Sequence, residues 1–292
     1  MVGARILRTA LRTSPLLALL ACADQPGEPA GPPAVTTGEY HAFIQHGWRF
    51  PATQSEWRAI GFDLDRDGVV ENLGGSLIGA LGAIGLPIDD ANAAQLASGD
   101  QIVGHVIRAD RLDRDASVAW QLWTSRGAPP TYDGRDVVAP TELDGELAGA
   151  ITAGTLRAHW GDAAIHVPLF PGQPPVAMPL TDAQLELTVD GPCHGMIGGA
   201  LDAAGYQGVL DQVAAETLAH MAAHPDHEFT RLARDVFDDD NDGVVSAAEV
   251  VKFGRELLPP DLDLDDDGRN DALSIGFAFE CAPARLAAPP TF

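Results

Sequence analysis

The stretch Leu273-Ser-Ile-Gly-Phe-Ala-Phe-Glu-Cys281 alternates large apolar residues with small or polar ones near the end of the sequence. Successive side chains of a β-strand point to opposite faces, so a period of two predicts a strand with one buried face. The apolar face of this strand would consist of Leu273, Ile275, Phe277 and Phe279. The chain is therefore expected to end in a strand that leads directly into a cysteine.

The sequence contains three cysteines, Cys22, Cys193 and Cys281. If Cys22 carries lipid, the other two are an even remainder, which in an oxidising compartment suggests a disulfide. That bond would span 88 residues and tie the terminal strand to the end of a β-rich region. Two buried free thiols are the alternative. A thiol enzyme is disfavoured because neither cysteine lies in a CxxC motif.

Residues 1–22 have the composition of a bacterial export signal. Three arginines precede the apolar stretch 15–21, which is too short to cross a bilayer. The segment ends in Leu19-Leu20-Ala21-Cys22, which resembles a lipobox and implies that Cys22 is acylated; a plain cleaved signal is the alternative. No Asp directly follows Cys22, which by analogy with lipoprotein sorting favours the outer membrane. Residues 23–38, rich in Pro and Gly, predict a flexible tether.

The charge balance limits the classes of partner. The chain has 42 acidic and 18 basic residues, and a formal net charge of −24. Such a surface repels nucleic acid and anionic headgroups, so a membrane would be reached only through the lipid anchor. The same surface attracts cations, whose binding would offset the self-repulsion of the folded chain.

The distribution of apolar residues and turn residues divides residues 39–292 into three segments. Residues 39–97 are predicted to be mainly helical, with a capping pattern at Thr53 and leucines at helical spacing from Leu73. Residues 98–194 contain short apolar runs between turns, which predict a β-rich, sandwich-like domain. Residues 195–292 are predicted to be helical up to Pro259-Pro260 and then to end in the strand. The expected fold class is α+β, with a β-rich middle domain flanked by helical segments.

Three acidic loops carry the clearest chemical signal. They share Asp at positions one, three and five and Gly at position six, and they begin at Asp63, Asp238 and Asp263. Calcium is a hard cation that takes six to eight oxygen ligands at roughly 2.3–2.6 Å, and alternate carboxylates on a sharp turn can supply them. Mg²⁺ is the weaker candidate because it keeps its waters. The alternative is a solvated acidic turn that binds no ion.

The loop from Asp238 to Glu249 resembles a complete EF-hand loop. The resemblance implies that the ligands are Asp238, Asp240, Asp242, the carbonyl of Val244 and the bidentate carboxylate of Glu249. Apolar helical patterns flank both ends, as the family requires.

The other two loops are similar to the DxDxDG modules of exported bacterial proteins. They lack the twelfth-position glutamate, since Gly74 and Ser274 stand there. The implied ligands of the first loop are Asp63, Asp65, Asp67, the carbonyl of Val69 and Glu71. Those of the third loop are Asp263, Asp265, Asp267, the carbonyl of Arg269 and Asp271.

No sequence motif predicts catalysis. His220, His224 and His227 lie close together, but Met221 stands where a zincin has its general base, and a surface histidine cluster is expected. The sequence therefore predicts an exported calcium-binding lipoprotein that is not an enzyme. A dockerin-like interaction module, or an enzyme with its site in the β-rich region, are the alternatives.

Overall fold

The computed structural model describes residues 37–83, 86, 88–265 and 267–289. The predicted export signal 1–22, lipidation site Cys22 and nearly all of the tether 23–38 lie outside the described residues. None of the described helices combines the length and the apolar character that crossing a membrane requires.

The strands are numbered in chain order. They are β1 (Glu39–Arg49), β2 (Ile102–Ala109), β3 (Arg114–Ser125), β4 (Val137–Val138), β5 (Glu142–Thr152), β6 (Thr155–Trp160), β7 (Ala163–Val167), β8 (Val176–Val189), β9 (Cys193–Leu201) and β10 (Leu273–Leu286). The helices found among the described residues are α1 (Gln54–Ala59), α2 (Leu73–Ala83), α3 (Ile88–Ser98), α4 (Ala203–Ala223), α5 (Glu228–Phe237) and α6 (Ala247–Leu257).

Eight antiparallel strands form a closed β-barrel in the order β1-β2-β3-β5-β6-β8-β9-β10. The last strand closes it, because β10 pairs with β9 on one side and with β1 on the other. The two extra strands attach to this barrel: β7 pairs with β5 and β8, the same two strands that flank β6, and β4 pairs in parallel with β10.

The prediction of an α+β fold, with a sandwich-like middle domain flanked by helical segments, is wrong. The barrel takes β1 from the first segment and β10 from the last, so the β-region is not confined to the middle of the chain. The strand β1 was missed because residues 42–45 are all buried, which removes the alternation that identifies a half-buried strand. Ile44 faces a separate apolar cluster with Ile102, Val138 and Ala282.

Large side chains fill the core of the barrel. Trp120, Leu147, Leu187 and Ile197 are almost completely buried, and Trp48 stacks on Phe277 with ring centroids 4.9 Å apart. The predicted apolar face of the terminal strand belongs to this core. Cys193 and Cys281 are directly opposite each other on β9 and β10, at disulfide distance, with their Cα atoms 4.9 Å apart.

The glycines of α2 explain why this helix forms despite its weak propensity. A Cβ atom at Gly75 would lie 2.4 Å from the carbonyl oxygen of Gly276, and one at Gly74 would lie 2.7 Å from that of Ser274. Only glycine permits a helix to approach the β10 backbone this closely. The three C-terminal helices form a smaller apolar cluster with Ala214, Met221 and Val250, which supports the loop between α5 and α6.

The barrel core also buries one imidazole. His105 is 1% exposed, stacks on Phe279 at 4.5 Å and contacts the Gln45 side-chain oxygen through Nε2 at 3.2 Å. Burial lowers its pKa from the usual value near 6.5 to about 3, because a charged ring loses its hydration there.

This histidine is expected to destabilise the protein in acid. Below pH 6.5 the unfolded chain binds a proton that the native barrel excludes until about pH 3, so stability falls as the pH decreases through that window. One such group contributes a slope of up to roughly 1.4 kcal/mol per pH unit. We expect His105→Gln to reduce the pH dependence of the unfolding free energy, measured by guanidinium titration between about pH 7 and pH 4.

The control is His194→Gln, which changes an exposed histidine of β9 and should leave that dependence unchanged. Equal slopes in the wild type and in His105→Gln would contradict a neutral, buried His105.

Candidate metal centre

Each of the three acidic loops connects two elements of regular structure. The first lies between α1 and α2, the second between α5 and α6, and the third between α6 and β10. The first and third loops are closed at their base by single β-bridges, Phe62 with Glu71 and Leu262 with Ala272. The second loop has helices at both ends, as its EF-hand resemblance implies.

The three loops form the same turn, held by the same hydrogen bonds. In each, the amide of the glycine at position six donates to the first Asp, and the amide at position seven donates to the fifth-position Asp. The first set is Gly68 to Asp63 (3.1 Å), Gly243 to Asp238 (2.9 Å) and Gly268 to Asp263 (2.7 Å). The second set is Val69 to Asp67 (2.7 Å), Val244 to Asp242 (2.7 Å) and Arg269 to Asp267 (2.9 Å).

The backbone of the turn is left-handed at the glycine in position six of all three loops. Gly68, Gly243 and Gly268 have φ values of 91°, 84° and 85°, a region that side chains with a Cβ disfavour. The fourth position is left-handed as well in two loops, at Arg66 (63°) and Asn241 (58°), and the sequence analysis did not predict this. Asn is one of the few residues that adopt this conformation readily, so Asn241 was a usable signal.

The turn brings three carboxylates of each loop together. In each group, one ligand oxygen per residue lies within 4.8 Å of the others. The groups are Asp63, Asp65 and Glu71; Asp238, Asp240 and Glu249; and Asp263, Asp265 and Asp267. Asp67, Asp242 and Asp271 are predicted ligands that fall outside these groups. The carbonyl ligands Val69, Val244 and Arg269 stay predictions.

The first loop has the least hydrated carboxylates. Glu71 is only 9% exposed, and burial, together with the charges of Asp65, Asp67 and Asp63, raises its pKa to about 7. The Leu64 amide donates to its Oε2 (3.3 Å) and opposes that shift. The buried Oδ1 of Asp63 has no hydrogen-bond partner among the described residues. A buried oxygen without a donor is costly, and a cation would satisfy it, so this donor set fits a hard metal ion.

The second loop fixes its glutamate by helix capping. Oε2 of Glu249 accepts hydrogen bonds from the Ser246 amide and hydroxyl (both 2.8 Å), and Oε1 accepts one from the Asp239 amide (3.0 Å). The Ser246 amide is the main reason why the pKa of Glu249 lies below its usual value. A carboxylate oxygen has two lone pairs, so Oε1 keeps one for coordination, whereas both lone pairs of Oε2 accept hydrogen bonds from Ser246.

The first and third loops share an apolar floor. Leu64, Leu262 and Ala272 are buried together with Ala200 at the end of β9. Sequence reasoning treated these loops as independent, although both have a leucine between the first two acids, Leu64 in the first loop and the partly buried Leu264 in the third, which also packs against this floor. That leucine was the available signal, because an apolar residue in an acidic loop must be covered by something else.

Buried polar residues join the exits of these two loops. Asn72, fully buried, donates to the carbonyls of Ile60 and Gly276 (3.1 Å to the latter), and its Oδ1 accepts from the Gly75 amide in the first turn of α2. The Ser274 hydroxyl accepts from the Leu73 amide (2.8 Å) and donates to Asp261 (2.5 Å). The residue after Glu71 is thus bonded to the strand that follows Asp271.

Two cavities occur elsewhere in the barrel. One, of about 20 Å³, is lined by Gln45, Gln101 and His105 inside the barrel, and it has room for roughly one water molecule. The other is an open groove of about 860 Å³ beside the exposed residues His46, His194 and Glu280.

The chain matches no protein-family model, no curated protein and no solved structure.

The junction at Asn72 is expected to stabilise the fold independently of any ion. Asn72→Ala removes a helix cap and leaves the carbonyls of Ile60 and Gly276 buried without their donor, which costs about 1–3 kcal/mol. The unfolding free energy should fall by that amount in guanidinium titrations with EDTA, where ions do not contribute.

The matched control is Asn270→Ala, because this side chain is exposed and its hydrogen bond to the Pro260 carbonyl is long, at 3.4 Å. If the two variants were equally stable, Asn72 would not join the loops.

Proposed function

We propose that the protein is an exported calcium-binding lipoprotein in which ions at the three acidic loops stabilise the fold. The observation that carries the proposal is the repetition of one turn. Three segments far apart in sequence place the same amide hydrogen bonds on the first and fifth acids and bring three carboxylates together. An acidic turn without a ligand has no reason to gather like charges in the same way three times.

Calcium suits this donor set better than magnesium or a transition metal. The ligands are carboxylates and backbone oxygens on loops, and calcium accepts irregular shells of six to eight oxygens at roughly 2.3–2.6 Å. Magnesium requires a near-octahedral shell and gives up its waters reluctantly, whereas softer metals favour nitrogen and sulfur ligands.

The proposed mechanism is charge neutralisation coupled to the barrel. An ion in the first loop would offset the repulsion among Asp63, Asp65 and Glu71 and keep Glu71 ionised. Because Asn72 follows Glu71 and donates to the Gly276 carbonyl, an ordered first loop would also stabilise β10. The third loop leads directly into the same strand, where Ser274 accepts a hydrogen bond from the Leu73 amide. In the second loop, an ion held by Glu249 would fix the start of α6. Ion binding thereby becomes folding free energy.

If the protein is exported, even calcium sites of low affinity would be occupied. Extracellular calcium modules bind at about 10⁻⁴–10⁻³ M, which suits permanent occupancy outside the cytoplasm. We further propose anchoring in the outer membrane through acylated Cys22, with a structural or ligand-binding role at the cell surface or in the periplasm. The proposal assigns the chain no catalytic residue and no nucleic-acid partner.

Calcium is expected to raise the melting temperature of the full chain. A site at one hundred times its dissociation constant adds about 2.7 kcal/mol, so filling three sites should raise the transition by many degrees in calorimetry. The same concentration of Mg²⁺ should give a smaller shift, because it binds such loops more weakly.

Two sets of variants distinguish calcium binding at the loops from a general effect of the acidic surface. Replacing Asp63, Asp238 and Asp263 together by Asn should remove most of the calcium-dependent shift, whereas Asp100→Asn, at an exposed position outside the loops, should retain it. A melting temperature that is the same in calcium and in EDTA would show that the ions are not structural.

A further inference from the structure

We infer that His220, His224 and His227 form a separate site for a borderline divalent transition metal ion, with Zn²⁺ as the main candidate. The three residues lie at the corner between α4 and α5. His220 is in the last turn of α4, His224 is the C-cap of α4, and His227 is the N-cap of α5. The site is distinct from the acidic loops in position and in donor chemistry.

The backbone holds this corner in place. The Thr230 hydroxyl, which is fully buried, donates to the His224 carbonyl (2.7 Å), and the His227 amide donates to the same oxygen (3.1 Å). Pro225 prevents α4 from continuing. The Cα positions of the three histidines are therefore fixed by the fold and not by the rings themselves.

The buried ring of His220 has a nitrogen without a hydrogen-bond partner among the described residues. It is 7% exposed and stacks on Phe170 with ring centroids 4.0 Å apart and an interplanar angle of 13°. Its Nε2 is buried and has no hydrogen-bond partner among the described residues. Leaving such an atom unsatisfied costs about 1–3 kcal/mol, and the nearest polar rings are those of His224 and His227.

The three rings lie near the spacing of a tetrahedral tri-histidine site, but their nitrogens are not gathered within 4.8 Å of one another, as the ligand atoms of the acidic loops are. A metal at roughly 2.0–2.1 Å from each nitrogen lies about 3.2 Å from each ring centroid, which places the centroids about 5 Å apart. The observed separations are 4.7 Å (His220–His224), 5.5 Å (His220–His227) and 6.3 Å (His224–His227). The longest one joins the two exposed rings, and binding would require these rings to turn until the three nitrogens converge on the ion.

Coordination would change one existing contact. Nδ1 of His227 accepts a hydrogen bond from the Phe229 amide (3.2 Å), a capping bond that a metal would replace. The ion would lie at the C-terminal end of α4, a helix of 21 residues, where the helix dipole favours a cation.

The donor set selects the class of metal. Three imidazole nitrogens favour Zn²⁺, Ni²⁺ or Cu²⁺ over Ca²⁺, which takes oxygen. Three protein ligands also leave the fourth position of a tetrahedral ion open to water or to an external ligand.

The test is a Co²⁺ titration of the untagged full chain, with millimolar Ca²⁺ present so that the acidic loops do not compete. We expect the visible ligand-field bands of tetrahedral Co²⁺ to saturate at one equivalent and to disappear when Zn²⁺ is added. His224→Ala and His227→Ala should each weaken Co²⁺ binding at least tenfold, and His194→Ala should not.

The two exposed histidines are chosen because their removal leaves the buried His220 in place, and circular dichroism should show unchanged folding. The inference is overturned if the wild type develops no tetrahedral Co²⁺ bands. It is equally overturned if His224→Ala and His227→Ala bind Co²⁺ as the wild type does.

Discussion

The pairing of β10 with β1 is the constraint on which the rest of the structure depends. It closes the barrel between residues near the two ends of the described chain, and it aligns Gln45 with Cys281. Closure leaves these two strands without a free edge and buries Phe277 and Phe279 in a common core with Trp120. It also brings two acidic loops together, because the first loop follows β1 through α1 and the third loop immediately precedes β10.

Barrel closure and the acidic loops are therefore parts of one arrangement. The exits of the first and third loops are bonded through Asn72 and Ser274, which lie about two hundred residues apart in sequence. Leu64 from the first loop and Leu262 at the start of the third are buried in one apolar cluster. We propose that calcium neutralises the carboxylates that crowd against this floor. We propose the same role for an ion in the second loop, between α5 and α6.

Sequence reasoning predicted the local features that depend on neighbouring residues. The apolar alternation in residues 273–281 lies on β10, and Thr53 caps α1 by accepting a hydrogen bond from the Glu56 amide. The three acidic turns were located by spacing alone, since the pattern of acids and glycine is a local property of the backbone.

The features that depend on distant contacts could not be predicted. The strand β1 lost its alternation because residues packed on its outer face bury it from both sides. The glycines of α2 lower its helix propensity, and the reason for them is apparent only from the structure, where the backbone of β10 passes directly against them. The shared floor of two loops and the burial of His220 likewise depend on residues far along the chain. For that reason, a closed barrel was mistaken for a sandwich with helical flanks.

The most direct test of the account is anomalous diffraction from crystals of the protein grown in millimolar calcium. The account predicts an anomalous peak inside each of the three loops, surrounded by six to eight oxygens at roughly 2.3–2.6 Å. Asp63, Asp238 and Asp263 should be among the ligands. Loops that contain no ion at this concentration, with their carboxylates turned apart toward solvent, would contradict it.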